Sequence, residues 1–98
     1  MKPDQALHKL ALLYQLKNSL YGDSYKQAGK ILAAIFDDGI EIESEKDFNR
    51  FCIYVHIITK LLRYSNNFFK EPDSDHMKDI AVYATMLLEL DEEEKECQ

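Results

Sequence analysis

Apolar residues recur along this chain every three or four positions, the period of amphipathic helices, and nowhere alternate long enough to make a stable strand. Four helices and no strands are therefore expected. The first spans about residues 4–20, with Pro3 and Asp4 at its start and Tyr21-Gly22-Asp23 at its end. The second covers about 24–37. Asp23 or Ser24 can cap it, and Tyr25, Ala28, Leu32, Ile35 and Phe36 form one stripe. Asp38-Gly39 breaks it, and Ile40 to Glu43 is too short and isolated for a strand. The third helix covers about 45–67, with Ser44 as its cap and Asp47 in the capping-box position. The fourth follows Glu71-Pro72-Asp73, begins near Ser74 and ends near Glu93. Helices joined by short loops pack antiparallel, so the expected fold class is all-α, a four-helix bundle.

Two helices carry more apolar surface than one buried face needs. In the first, Leu7, Leu10, Tyr14 and Tyr21 line one side, while Leu12, Leu16 and Leu20 line the other. A helix that is apolar on two sides is buried on two sides, which points to a homo-oligomer, dimer or tetramer, over a central helix in a monomer. In the third, nearly every position from Phe51 to Leu62 is apolar. The polar exceptions Asn49, His56, Lys60, Arg63 and Asn67 fall within an arc of roughly 60°. Left unpaired in a core, such groups would cost several kcal/mol each, so the row faces solvent, acidic partners or a ligand.

The fourth helix offers acidic partners. Ile80, Tyr83, Ala84, Met86, Leu87 and Leu90 make its apolar face, and Asp79 lies inside that sector. Asp75 is one turn earlier on the same side. Like charges at this spacing repel mildly, and a cation would relieve them. It can be a Mg²⁺ ion, which needs only one or two carboxylates plus substrate phosphates, or the side chains of Lys60 and Arg63. Lys60 and Arg63 in turn can hold phosphate or simply suit a helix C-terminus. His56 reads as a partly buried, hydrogen-bonded residue, and His8 and His76 as surface residues. Phe48, Phe51 and Tyr54 read as core, while Tyr21 and Tyr83 lie nearest the polar candidates.

At 98 residues, the chain has room for one domain. Residues 1–90 read as a single helical domain and 91–98 as an acidic C-terminal tail. The formal net charge of −6 makes duplex nucleic acid an unsuitable partner. Cys52 and Cys97 lie far apart and suit free thiols in a reducing compartment. No apolar run is long enough for a membrane span, and no signal-type segment follows Met1, so a cytoplasmic location and no membrane partner are expected. Gly-rich phosphate loops, GxSxG, HExxH and CxxC motifs are absent from the sequence, which removes support for Ser or Cys nucleophiles.

Read in order, the Tyr21-Gly22-Asp23 turn, the Lys60-Leu61-Leu62-Arg63 helix end and Asp75 followed by Asp79-Ile80-Ala81-Val82-Tyr83-Ala84 form a recognisable string. It resembles small phage-encoded domains of unknown function akin to the MazG-like all-α nucleoside triphosphate pyrophosphohydrolases, over about residues 12–90. The resemblance implies an oligomeric helical bundle that binds a nucleotide with Mg²⁺. In such enzymes an ExxE and a later ExxD motif hold Mg²⁺ against the triphosphate while water displaces pyrophosphate. It also implies that Asp75 and Asp79 are metal ligands, Lys60 and Arg63 phosphate-binding residues, and Asn18, Tyr21, Asp23 and Tyr83 nucleotide contacts. The chain departs from the pattern at ExxE, since Ser44, Lys46 and Phe48 stand three residues after Glu41, Glu43 and Glu45. The alternative is a noncatalytic phage protein that binds a host protein or sequesters a nucleotide.

Overall fold

The structure, a computed structural model, describes residues 1–21, 24–70 and 74–96. It contains four helices and, among the described residues, no strand: α1 (Pro3–Tyr21), α2 (Ser24–Ile35), α3 (Glu45–Asn66) and α4 (Ser74–Glu96). Among those residues, no helix is long and apolar enough to cross a membrane. The local signals act as their chemistry requires. Ser44 sits in extended backbone, and its hydroxyl accepts the Asp47 N–H at 3.1 Å, so one orphan amide of α3 is satisfied. Gly39 ends the turn after α2 with a φ of 81°, a left-handed conformation that side chains resist.

The centre of the fold is the antiparallel seam between α3 and α4, with α2 laid against α3. Ile58, 9% exposed, is the one hydrophobic residue among those described that is buried. Phe36, just past α2, fixes that helix to α3 by meeting Phe51 and Tyr54 edge-on, with ring centres 6.2 and 5.7 Å away. At the open end of the seam, Arg50 of α3 donates from Nε to Asp91 of α4 at 2.9 Å and from Nη1 to Asp47 at 3.4 Å.

α4 continues unbroken to Glu96, beyond the end expected near Glu93. Asp91, grouped with the acidic tail on composition, thus serves as a partner for α3. Three side chains lie elsewhere than expected. His76, read as a surface residue, is only 4% exposed. The reason is helical register: His76 begins the stripe that Ile80, Tyr83 and Leu87 continue. Phe48, read as core, is 55% exposed because it lies in the first turn of α3, beyond the reach of the aromatic cluster. His56 is exposed and finds its partner through its ring face.

α1 stands apart. Tyr14 and Tyr25 link it to α2 through their hydroxyls at 3.4 Å, and Asn18 donates to Tyr14 at 3.3 Å. It packs on no helix to the extent that α2 packs on α3, and Leu7, Leu10 and Tyr14 on one side and Leu12 and Leu16 on the other are open to solvent. The radius of gyration is 17.0 Å, against about 12–13 Å for a compact chain of this length.

Because so little is fully buried, the seam is sensitive at its middle. Ile58→Ala removes the best-covered apolar side chain and should cost about 2–4 kcal/mol. Urea denaturation should show this as a lower midpoint, whereas Leu61→Ala, on the exposed side of α3, should change the midpoint far less.

Candidate functional site

The seam has two polar ends of opposite character. At one, a cavity of about 290 Å³ opens over Phe36, Phe51, Tyr54 and Leu87, with Arg50 and Asp91 at its edge. Glu41 and Asp47 also line it, so its carboxylates outnumber its one cation. The Asp91 carboxylate, hydrogen bonded to the Arg50 guanidinium, pushes that group above its ordinary range, and Asp47 adds to the effect. An arginine held by two carboxylates in an acidic rim is poorly placed to receive a phosphate.

The other end is built from the polar row of α3. Lys60 Nζ meets Asp79 Oδ2 of α4 at 3.0 Å. One turn away, the His56 ring lies nearly parallel to Tyr83, with centres 5.3 Å apart and planes at 13°. His56 and Lys60 are four residues apart on α3, as are Asp79 and Tyr83 on α4, so the two contacts are successive rungs of one antiparallel ladder. Arg63 and Asp75 continue the two rows by a further turn, Arg63 partly buried and Asp75 exposed. The structure therefore brings Lys60, Asp79 and Tyr83 together, with Arg63 and Asp75 on the same faces. Lys60 is the more enclosed member of its pair, with 20% of its side chain exposed against 48% for Asp79. Its aliphatic stem lies along the seam while its charge reaches the rim.

The remaining candidates divide. Asn18 is engaged with Tyr14 at the joint of α1 and α2. Asp23 lies outside the described residues, as does the side chain of Tyr21. Cys52 is an exposed free thiol on α3, and Cys97 lies outside the described residues.

Comparison with protein-family models, with curated proteins and with solved structures finds no match for this chain.

The chain's own geometry therefore has to carry the functional reading. The Mg²⁺ that the sequence resemblance implies can be tested on the donor set. Among the described residues, no group of three or more His, Cys, Asp or Glu side chains gathers as a metal ion would require. Asp79 is already neutralised by an ammonium group, with a guanidinium one turn beyond it. Asp75 and Asp79 as arranged do not fit a divalent cation.

The sequence missed two features of this region. Arg50 was hidden because its partner Asp91 opens an acidic run that reads as solvated tail, although its i, i+3 relation to Asp47 was a visible signal. The stacking of His56 on Tyr83 needed the α3–α4 register, which no single helix contains.

The Lys60–Asp79 contact is partly open to water, so its net contribution should be small. A double-mutant cycle with Lys60→Met and Asp79→Asn should give a coupling of about 0.5–1 kcal/mol. Chemical denaturation at low and high salt should show the coupling shrink as ions screen it. No measurable coupling at low salt would mean that the ladder does not form.

Proposed function

We propose that the chain is a nucleotide-binding subunit of a MazG-like, homo-oligomeric helical protein, with Lys60 and Arg63 facing the phosphates. The observation that carries the proposal is the ladder of α3 and α4, which sets a cation beside an aromatic stack. Phosphate oxygens suit an ammonium that still has donors to spare, and a guanidinium fork one turn further along. The outer ring of the His56–Tyr83 pair offers a flat surface to a base or sugar. Asn18, Tyr21 and Asp23 enter this proposal only through the sequence resemblance.

Association is supported by surface area. The single chain exposes 7751 Å², about 1,900 Å² more than the roughly 5,800 Å² typical of a compact protein of its mass. A standard interface hides about 800 Å² per partner, so this excess is enough for an extensive or two-sided interface. A second copy is the occupant proposed for α1, because a face present on every chain suits self-association. A cytoplasmic setting agrees with the free thiol of Cys52.

Binding, with no turnover, is the function proposed. Hydrolysis to a monophosphate and pyrophosphate, the activity of the enzymes it resembles, uses a gathered set of carboxylates, and no such set forms among the described residues. The noncatalytic reading, in which the protein sequesters a nucleotide or engages a host protein, is favoured by the same Lys60–Asp79 pairing.

A thermal-shift panel of nucleoside triphosphates tests the proposal directly. A ligand present at a hundredfold excess over its Kd adds about 2.7 kcal/mol to stability, which should raise Tm by about 10–20 °C. The Lys60→Ala, Arg63→Ala double variant should lose that rise, and a pyrophosphate-release assay should stay at background. If no nucleotide shifts the folded protein, the nucleotide reading fails.

Light scattering tests the assembly. The native chain should have at least twice the monomer mass, and Leu12→Asp with Leu16→Asp should lower both mass and Tm. A monomer of unchanged Tm at micromolar concentration would remove the oligomer from the proposal.

A further inference from the structure

Taking the nucleotide reading as its basis, we propose that Lys60 stands in for the divalent cation at Asp79, so that the site binds nucleotide phosphates without added metal. Three observations lead there. First, Lys60 Nζ already occupies the coordination side of Asp79 Oδ2 at 3.0 Å. Second, Lys60 is the better-shielded partner, with 20% side-chain exposure. A metal that took Asp79 would displace this ammonium from its carboxylate and set a divalent charge beside it, a like-charge contact. Third, no group of three or more potential metal ligands gathers among the described residues.

The chemistry of the substitution is direct. A lysine ammonium has three N–H donors and no acceptor. Asp79 takes one of them and so fixes the head group at the rim of the seam. The other two remain for phosphate oxygens, and Arg63 lies on the next turn of the same helix. Asp79 thereby acts as a positioning residue for Lys60.

The experiment is calorimetric titration of the native protein with the nucleoside triphosphate that gives the largest thermal shift, once with excess EDTA and once with Mg²⁺. It is paired with Mn²⁺ binding followed by electron paramagnetic resonance. Affinity should agree within about threefold between the two buffers, and Lys60→Gln should weaken binding in EDTA by about tenfold or more. Native protein should take up no Mn²⁺ that Asp79→Asn removes, whereas Lys60→Gln, which frees the carboxylate, should gain such a site. Binding that requires Mg²⁺, or an Asp79-dependent Mn²⁺ site in the native protein, overturns the stand-in role while leaving the nucleotide reading intact. Failure to bind in both buffers overturns the nucleotide reading and this proposal with it. Circular dichroism of Lys60→Gln separates loss of binding from loss of fold. Should that variant unfold, Asp79→Asn in EDTA provides the same test, because an unpositioned Lys60 should also weaken binding.

Discussion

The antiparallel register of α3 against α4 is the constraint on which the rest of this structure depends. It buries Ile58, the best-covered apolar side chain, and brings every notable polar pair together. Lys60 meets Asp79, His56 meets Tyr83 and Arg50 meets Asp91 because the two helices run in opposite directions at one offset. A shift by one turn would break all three pairs at once. Each partly exposed pair adds little energy alone. Together they select one alignment among several that the apolar stripes would otherwise tolerate, since aliphatic contacts are non-directional.

The two ends of the seam show how charge decides the use of similar material. Each has a cation against an α4 carboxylate and aromatic rings nearby. At the Arg50 end the guanidinium is shared by two carboxylates, and Glu41 adds a third acid to the cavity. That end is electrostatically satisfied and locks the helices. At the Lys60 end one carboxylate holds one ammonium, and Arg63 follows on the next turn. Asp75 faces that turn from α4, so the charges there balance, and the Lys60 ammonium keeps N–H donors that an anionic ligand could meet. The cavity over Phe36, Phe51 and Tyr54 thus lies where a phosphate is disfavoured.

Much of the helical layout was legible in the sequence because its signals are local. The Ser44 cap, the Gly39 break and the polar row of α3 each follow from spacing within one segment. The meeting of Lys60 with Asp79 could be posed as one option, since each residue lies on a definable face of its helix. The placement of His76 was misread because residue type outweighed register, although its position extends the stripe of Ile80, Tyr83 and Leu87. Arg50 with Asp91, and His56 with Tyr83, were not legible, since both depend on the offset between helices far apart in sequence.

α1 brings the remaining physics together. In the single chain it leaves Leu7 and Leu10 on one side and Leu12 and Leu16 on the other in water, and it holds to α2 through tyrosine hydroxyls. Two rows on opposite sides cannot both be covered by one neighbouring helix, so a fold-back onto α3 and α4 would satisfy only one of them. A symmetric assembly can satisfy both, with each α1 placed between its own chain and a copy. The seam and α1 then have separate tasks. The seam sets the position of the charged ladder within each chain, and α1 would supply the apolar area through which chains join in the proposed assembly. In such an assembly, ladder geometry and subunit affinity can change independently, because no residue of the ladder lies on α1.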